Sequence, residues 1–136
     1  MEGRSALMPA ILDSSVILAY LLDEQGREAA EQAIAARGSI CSVNLAEVMS
    51  RLTRDGANVG TSAGVLLALP ITVVDLDAHL AIEAGAMIGQ TKPFGLSLGD
   101  RACLALAKRE QLPALTADRI WLRAGPLLGV EVRLIR

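Results

Sequence analysis

The sequence predicts a three-layer α/β/α fold, with helices on both faces of a central parallel sheet of about five short strands. Three observations predict it. Short apolar runs recur along the chain, each separated from the next by a helical stretch, which is the pattern of parallel strands joined by crossover helices. The chain is 52% hydrophobic but only 2% aromatic, so its core must be built from Ala, Leu, Val and Ile, which suits helices packed closely on a small sheet. Three acids, Asp13, Asp100 and Asp118, fall at the carboxyl ends of strands or at the adjoining helix starts, the edge at which open α/β sheets bind their ligands.

The 136 residues suffice for one domain with a real core. Residues 1–8 read as a loosely ordered leader, with Met8 as eligible a start as Met1, and residues 9–136 as the domain. Pro9-Ala10-Ile11-Leu12-Asp13 is the first strand, and Ser14-Ser15 after it can cap a helix from Val16 to Leu22. Asp23 to Gly26 is a polar break before an Ala-rich helix, Arg27 to Ala36, closed by Gly38. Ser39-Ile40-Cys41-Ser42 is a second strand. Asn44 to Thr53 is helical, with Leu45, Val48, Met49 and Leu52 at i, i+3, i+4 and i+7. Asp55-Gly56 breaks that pattern. Val59 to Leu69 is a further helix, ended by Pro70 ahead of a third strand, Ile71 to Val74. Asp75 to Ile88 is helical, with Asp75 and Asp77 as caps, and Thr91 to Gly95 is a turn-rich loop. A helix then runs from Gly99-Asp100 to Lys108-Arg109, whose cations suit the helix C-terminus. Leu112 to Thr116 is a buried strand, Gly125-Pro126 marks a turn, and Val130 to Ile135 alternates as an edge strand does.

Composition excludes several classes. With 13 Lys and Arg against 15 Asp and Glu the net charge is −2, so the chain does not grip nucleic acid by bulk charge. Cys41 and Cys103 have no metal-ligand or disulfide spacing and read as small buried apolar residues in a reduced, cytoplasmic setting. The longest apolar stretch, Val65 to Val74, is interrupted by Pro70 and Thr72 and falls short of the roughly 20 residues that cross a bilayer. No export signal opens the chain, so neither a membrane nor secretion is expected.

Taken singly, Asp13, Asp100 and Asp118 have an ordinary explanation as helix caps, and Glu47 has one as an i,i+4 partner of Arg51. Taken together they do not, because a parallel sheet gathers the first three at one edge and Glu47, following the second strand, reaches the same edge. Four carboxylates close together repel, and some must take up protons unless a cation compensates. Mg²⁺ or Mn²⁺ is the natural compensation for an all-oxygen set, and a water activated by such an ion attacks phosphodiesters.

ILDSSVILAYL around Asp13, NLAEVMSRL around Glu47, LSLGDRACLALA around Asp100 and LTADRIW around Asp118 together resemble the PIN-domain ribonucleases, specifically the VapC-type toxins of bacterial toxin–antitoxin pairs. The likeness runs from about Ile11 to Arg133. It implies that Asp13, Glu47, Asp100 and Asp118 form an acidic quartet holding Mg²⁺ or Mn²⁺, that Thr116 and Ser14 supply hydroxyls in the same pocket, that the chain forms a homodimer and cuts RNA, and that a small VapB-like antitoxin blocks the site.

The alternative is a PIN-like module that holds RNA or a protein without cutting it; clustered negative charge facing phosphate argues against that. A haloacid-dehalogenase-like phosphotransferase wants a second Asp where Ser15 stands, and a receiver domain wants an acidic pair and a late Lys that the chain lacks. Arg51, Arg101, Arg119 and Arg123 flank the acids and read as solvated or ion-paired rather than as phosphate ligands. Trp121 reads as a packing anchor and His79 as structural.

Overall fold

The computed structural model describes residues 9–136; the leader expected over residues 1–8 lies outside them. The elements in order are β1 (Ile11–Leu12), α1 (Ser14–Leu21), α2 (Arg27–Ala35), β2 (Ser39–Cys41), α3 (Ser42–Arg54), α4 (Val59–Ala68), β3 (Thr72–Val74), α5 (Ala78–Ala86), α6 (Ile88–Thr91), a 3₁₀ turn over Lys92–Phe94, α7 (Leu98–Glu110), β4 (Ala114–Thr116), α8 (Trp121–Leu128) and β5 (Val132–Leu134).

The five strands form one sheet in the order β3-β2-β1-β4-β5, with every neighbouring pair parallel. From β1 the chain steps outward to β2 and β3, then crosses back to place β4 on the other side of β1. The direction of winding therefore reverses between β1 and β4, and an open α/β sheet has its crevice at such a reversal.

Side chains alternate across each strand, which divides the core into two layers. Ile11, Cys41 and Ala114 face a cluster with Leu80, Ala84 and Met87, much of α7, and Trp121, Ala124 and Leu128 of α8. Leu12, Ile40 and Leu115 face the opposite cluster, with Val16, Ile17 and Ala19 of α1, Ala30 and Ile34 of α2, Val48 and Leu52 of α3, and Leu66 of α4. The three-layer expectation holds, and Ala and branched aliphatics do the packing.

Helix α7 is the most enclosed of the helices. All residues from Arg101 to Ala107 are buried, a position that Ala and Cys tolerate because they let neighbouring backbones approach. A capping box starts it: Ser97 Oγ accepts from Asp100 N at 3.1 Å and Asp100 Oδ2 accepts from Ser97 N at 3.0 Å.

Three local expectations are corrected. Helix α5 begins at Ala78, not Asp75, because the Asp77 carboxylate accepts from Leu80 N at 2.8 Å and takes the cap position alone. The expected loop over residues 91–95 contains the end of α6 and the 3₁₀ turn. Gly125 and Pro126 lie inside α8 rather than in a turn. Proline removes one donor from this two-turn helix, and Gly125 is required by packing, since a Cβ there would fall 2.9 Å from Val130 O.

Candidate functional site

Asp13 follows the last residue of β1, and the pairing of Leu12 with Leu115 places it beside the end of β4; Asp13 N donates to Leu115 O at 3.0 Å. It occupies the N-cap position of α1, yet its side chain makes no capping bond. Instead the carboxylate is buried, 5% exposed, and Oδ2 accepts from Ser15 Oγ at 2.8 Å and Thr116 Oγ1 at 2.9 Å. The capping explanation therefore fails for Asp13. Burial pushes its carboxyl above the ordinary range, the Ser15 and Thr116 hydroxyls pull it back, and the Glu47 charge raises it further.

The β4 end supplies the next two groups. Thr116 is fully buried; its Oγ1 donates to Asp13 and accepts from Asp118 N at 3.1 Å. Asp118 is exposed, and its Oδ1 accepts from Ile120 N at 3.1 Å, closing the turn that leads into α8. Ser15 ties the two strand ends together, because its Oγ also accepts from Ala117 N at 3.0 Å.

Glu47 comes from the second turn of α3. Arg51 pairs with Asp55 at 2.9 Å, not with Glu47, so the surface ion pair that explained Glu47 singly is absent. Its Oε1 accepts instead from Asn44 Nδ2 at 2.9 Å, and the same Nδ2 donates to Gly99 O at 3.0 Å. The Glu47 carboxylate lies against the bare Cα of Gly99: a Cβ there would fall 2.7 Å from Glu47 Cδ and 2.9 Å from Oε1. Only glycine leaves that space, and it brings Glu47 beside the residue that follows, Asp100.

Asp100 is half-buried. Burial is the largest reason its carboxyl lies above the ordinary range, the Ser97 backbone bond opposes it, and the charges of Asp13 and Asp118 add to the rise. All four predicted acids thus approach the carboxyl edge of the sheet, from buried Asp13 out to exposed Asp118, where Glu47 raises the Asp13 carboxyl and Asp13 and Asp118 raise that of Asp100. They are spread along that edge: among the described residues no three His, Cys, Asp or Glu are grouped tightly enough to cage one ion. The donors available are carboxylate and hydroxyl oxygens, the set that suits Mg²⁺ and Mn²⁺.

Ser14, expected to act beside Asp13, stands at 3.5 Å from Oδ1, at the limit of a hydrogen bond; its neighbour Ser15 makes the shorter one. Asn44 and Gly99 were not read from the sequence either, although Asn44 precedes Glu47 by three residues, a spacing that puts both on one helix face. The four flanking arginines are engaged elsewhere. Arg101 is buried and donates to Ala84 O at 3.0 Å, Arg119 bonds the carbonyl of Arg136, and Arg123 lies over the Phe94 ring. Trp121 is fully buried, as a packing anchor should be; His79 is exposed. Both cysteines are buried, and burial raises both thiols above their ordinary range. No helix among the described residues is long and apolar enough to cross a membrane.

A family model described as PIN domain matches residues 10–126. No curated protein sequence matches the chain. Among solved structures, it is similar to the DNA-bound VapBC of Salmonella typhimurium, at 19% identity and a TM-score of 0.72 over 95% of this chain and 99% of the other. It is also similar to a toxin–antitoxin complex from Klebsiella pneumoniae, at 18% identity and a TM-score of 0.67 over 93% and 98%. VapC20 of Mycobacterium tuberculosis, described as a sarcin–ricin loop cleaving toxin, aligns at 17% identity with a TM-score of 0.65 over 77% and 86%. At these identities the likeness is one of fold.

Proposed function

The chain belongs to the PIN-domain family, and on that premise we propose that it is a divalent-metal-dependent endoribonuclease, the toxin of a bacterial toxin–antitoxin pair, held inactive by a VapB-like antitoxin. The observation that carries this reading is the approach of Asp13, Glu47, Asp100 and Asp118 to one sheet edge, with Asp13 and Asp100 raised by burial and by the charges around them. A protein that only held RNA would gain nothing from four carboxylates facing phosphate.

Asp13, Glu47, Asp100 and Asp118 would hold Mg²⁺ or Mn²⁺ directly or through water. Mg²⁺ keeps several waters and takes few carboxylates directly, which accords with acids spread along the sheet edge. When bound, the ion supplies Lewis acidity toward the phosphodiester and activates a water for in-line attack. Thr116 and Ser15 hold the Asp13 carboxylate in one orientation through Oδ2, while Oδ1 has the long side-chain contact from Ser14. The Asp100 carboxylate is oriented by Ser97 N. Homodimerisation, implied by the family resemblance, and a cytoplasmic location, read from the isolated thiols Cys41 and Cys103, complete the reading.

The test is cleavage of a defined RNA by the purified chain with Mn²⁺ or EDTA, beside Asp100→Asn, whose amide oxygen can still accept from Ser97 N. Cleavage that needs Mn²⁺ and is lost in a folded Asp100→Asn supports the nuclease; cleavage indifferent to both overturns the metal-dependent mechanism, and none under any condition favours the silent binding module.

A further inference from the structure

We infer that Asn44 is a positioning residue whose amide clamps the Glu47 carboxylate against the first turn of α7, so that Glu47 meets the acid cluster already oriented. The inference rests on the reading of the four acids as a cation site. Its geometry stands on three residues from two helices: Asn44 Nδ2 reaches Glu47 Oε1 at 2.9 Å within α3 and Gly99 O at 3.0 Å on α7.

The orientation of the amide is determined by its partners. Both groups facing Nδ2 are acceptors, so exchanging the amide nitrogen and oxygen would set oxygen against two oxygens. The price of this arrangement is visible at the other end of the side chain, where Oδ1 is buried without a partner among the described residues. A buried, unsatisfied acceptor costs about 1–3 kcal/mol, and Asn44 is fully buried. An apolar side chain of similar volume would avoid that cost, so packing alone does not account for asparagine here.

Glu47 has no other hydrogen bond or ion pair among the described residues. Its carboxylate is held by this one amide on one side and by the bare face of Gly99 on the other. The neighbouring charges of Asp13 and Asp100 would otherwise drive it outward toward solvent. An amide is the appropriate clamp, since it donates to the carboxylate without neutralising the negative charge that a cation would need.

The test measures Mn²⁺ affinity of the full chain by water-proton relaxation, without RNA, together with thermal melting, for Asn44→Leu, Asn44→Ser, Glu47→Gln and the Asn44→Leu/Glu47→Gln double variant. Asn44→Leu should keep a cooperative melt and weaken Mn²⁺ binding about tenfold, in the range found when groups supporting metal ligands are removed. Asn44→Ser, which keeps one donor, should fall between. The double variant should bind no more weakly than Glu47→Gln alone, because Asn44 acts only through Glu47. A weakened Glu47→Gln beside an unchanged Asn44→Leu, or additive losses in the double variant, overturns this inference alone. An unchanged Glu47→Gln overturns the cation-site reading and this inference with it. Loss of a cooperative melt in both Asn44 variants assigns the residue to the fold and overturns the inference as well.

Discussion

Thr116 Oγ1 donates to Asp13 Oδ2 at 2.9 Å across 103 positions of sequence, and the same oxygen accepts from Asp118 N at 3.1 Å. One hydroxyl therefore fixes two of the four acids relative to each other. Thr116→Val keeps the shape and removes both bonds. It leaves a buried carboxylate short of a donor, so stability should fall by about 1–3 kcal/mol, read by urea denaturation, and RNA cleavage should fall at least tenfold. Thr116→Ser, which restores the hydroxyl, should recover most of both.

The two raised carboxyls give a signed pH dependence. Asp13 and Asp100 are raised chiefly by burial, from an ordinary value of 3.8. Between that value and the folded one, the folded chain holds more protons than the unfolded chain, so these groups lower stability as pH rises through that window and keep it lower above it. Without divalent metal, Asp13→Asn should therefore be more stable than wild type at about pH 7.5, and the advantage should shrink toward about pH 4. Paired thermal melts across that range check the sign. An advantage that grows with acidity would contradict it.

Gly99 gives a case where stability and activity should part. Alanine is the better helix former by up to about 1 kcal/mol, but its Cβ would occupy the space of the Glu47 carboxylate. Gly99→Ala should retain or raise the melting temperature while cutting RNA cleavage by at least tenfold, as seen in one preparation assayed both ways.

The sequence places Arg101 beside the acids and predicts a solvated or ion-paired side chain. It is neither: it is buried, and its guanidinium bonds Ala84 O at 3.0 Å and Gly85 O at 3.4 Å at the end of α5. Cations stabilise helix C-termini, and these two bonds hold α5 against α7. Arg101→Met should lower stability by about 1–3 kcal/mol and leave the salt dependence of RNA binding unchanged, which a phosphate contact would not.

How far the sequence carried the reading depended on the range of each interaction. The five parallel strands, the two-sided helices and the burial of Trp121 follow from local pattern: apolar runs at strand length, helical spacing, Pro70 as a stop. The acids were legible because each sits at a strand end or helix start, and the sheet order did the rest. What escaped were contacts decided by packing between distant segments. Ser15 rather than Ser14 makes the closer bond to Asp13 because the first turn of α1 points it at β4. Gly99 is silent in sequence, since its value lies in a side chain it lacks. Arg51 turned to Asp55 and left Glu47 to Asn44, a choice between two helical neighbours that spacing alone does not decide.

The account depends on one cation being drawn to the sheet edge that Asp13, Glu47, Asp100 and Asp118 approach. A crystal of the chain grown with Mn²⁺ and measured at the manganese absorption edge locates that ion directly. An anomalous peak within ligand or water-bridging distance of Asp13 and Asp100, absent in Asp13→Asn, is the result expected. A well-diffracting crystal with no peak there, or with manganese bound elsewhere and the four acids turned apart, would contradict the account.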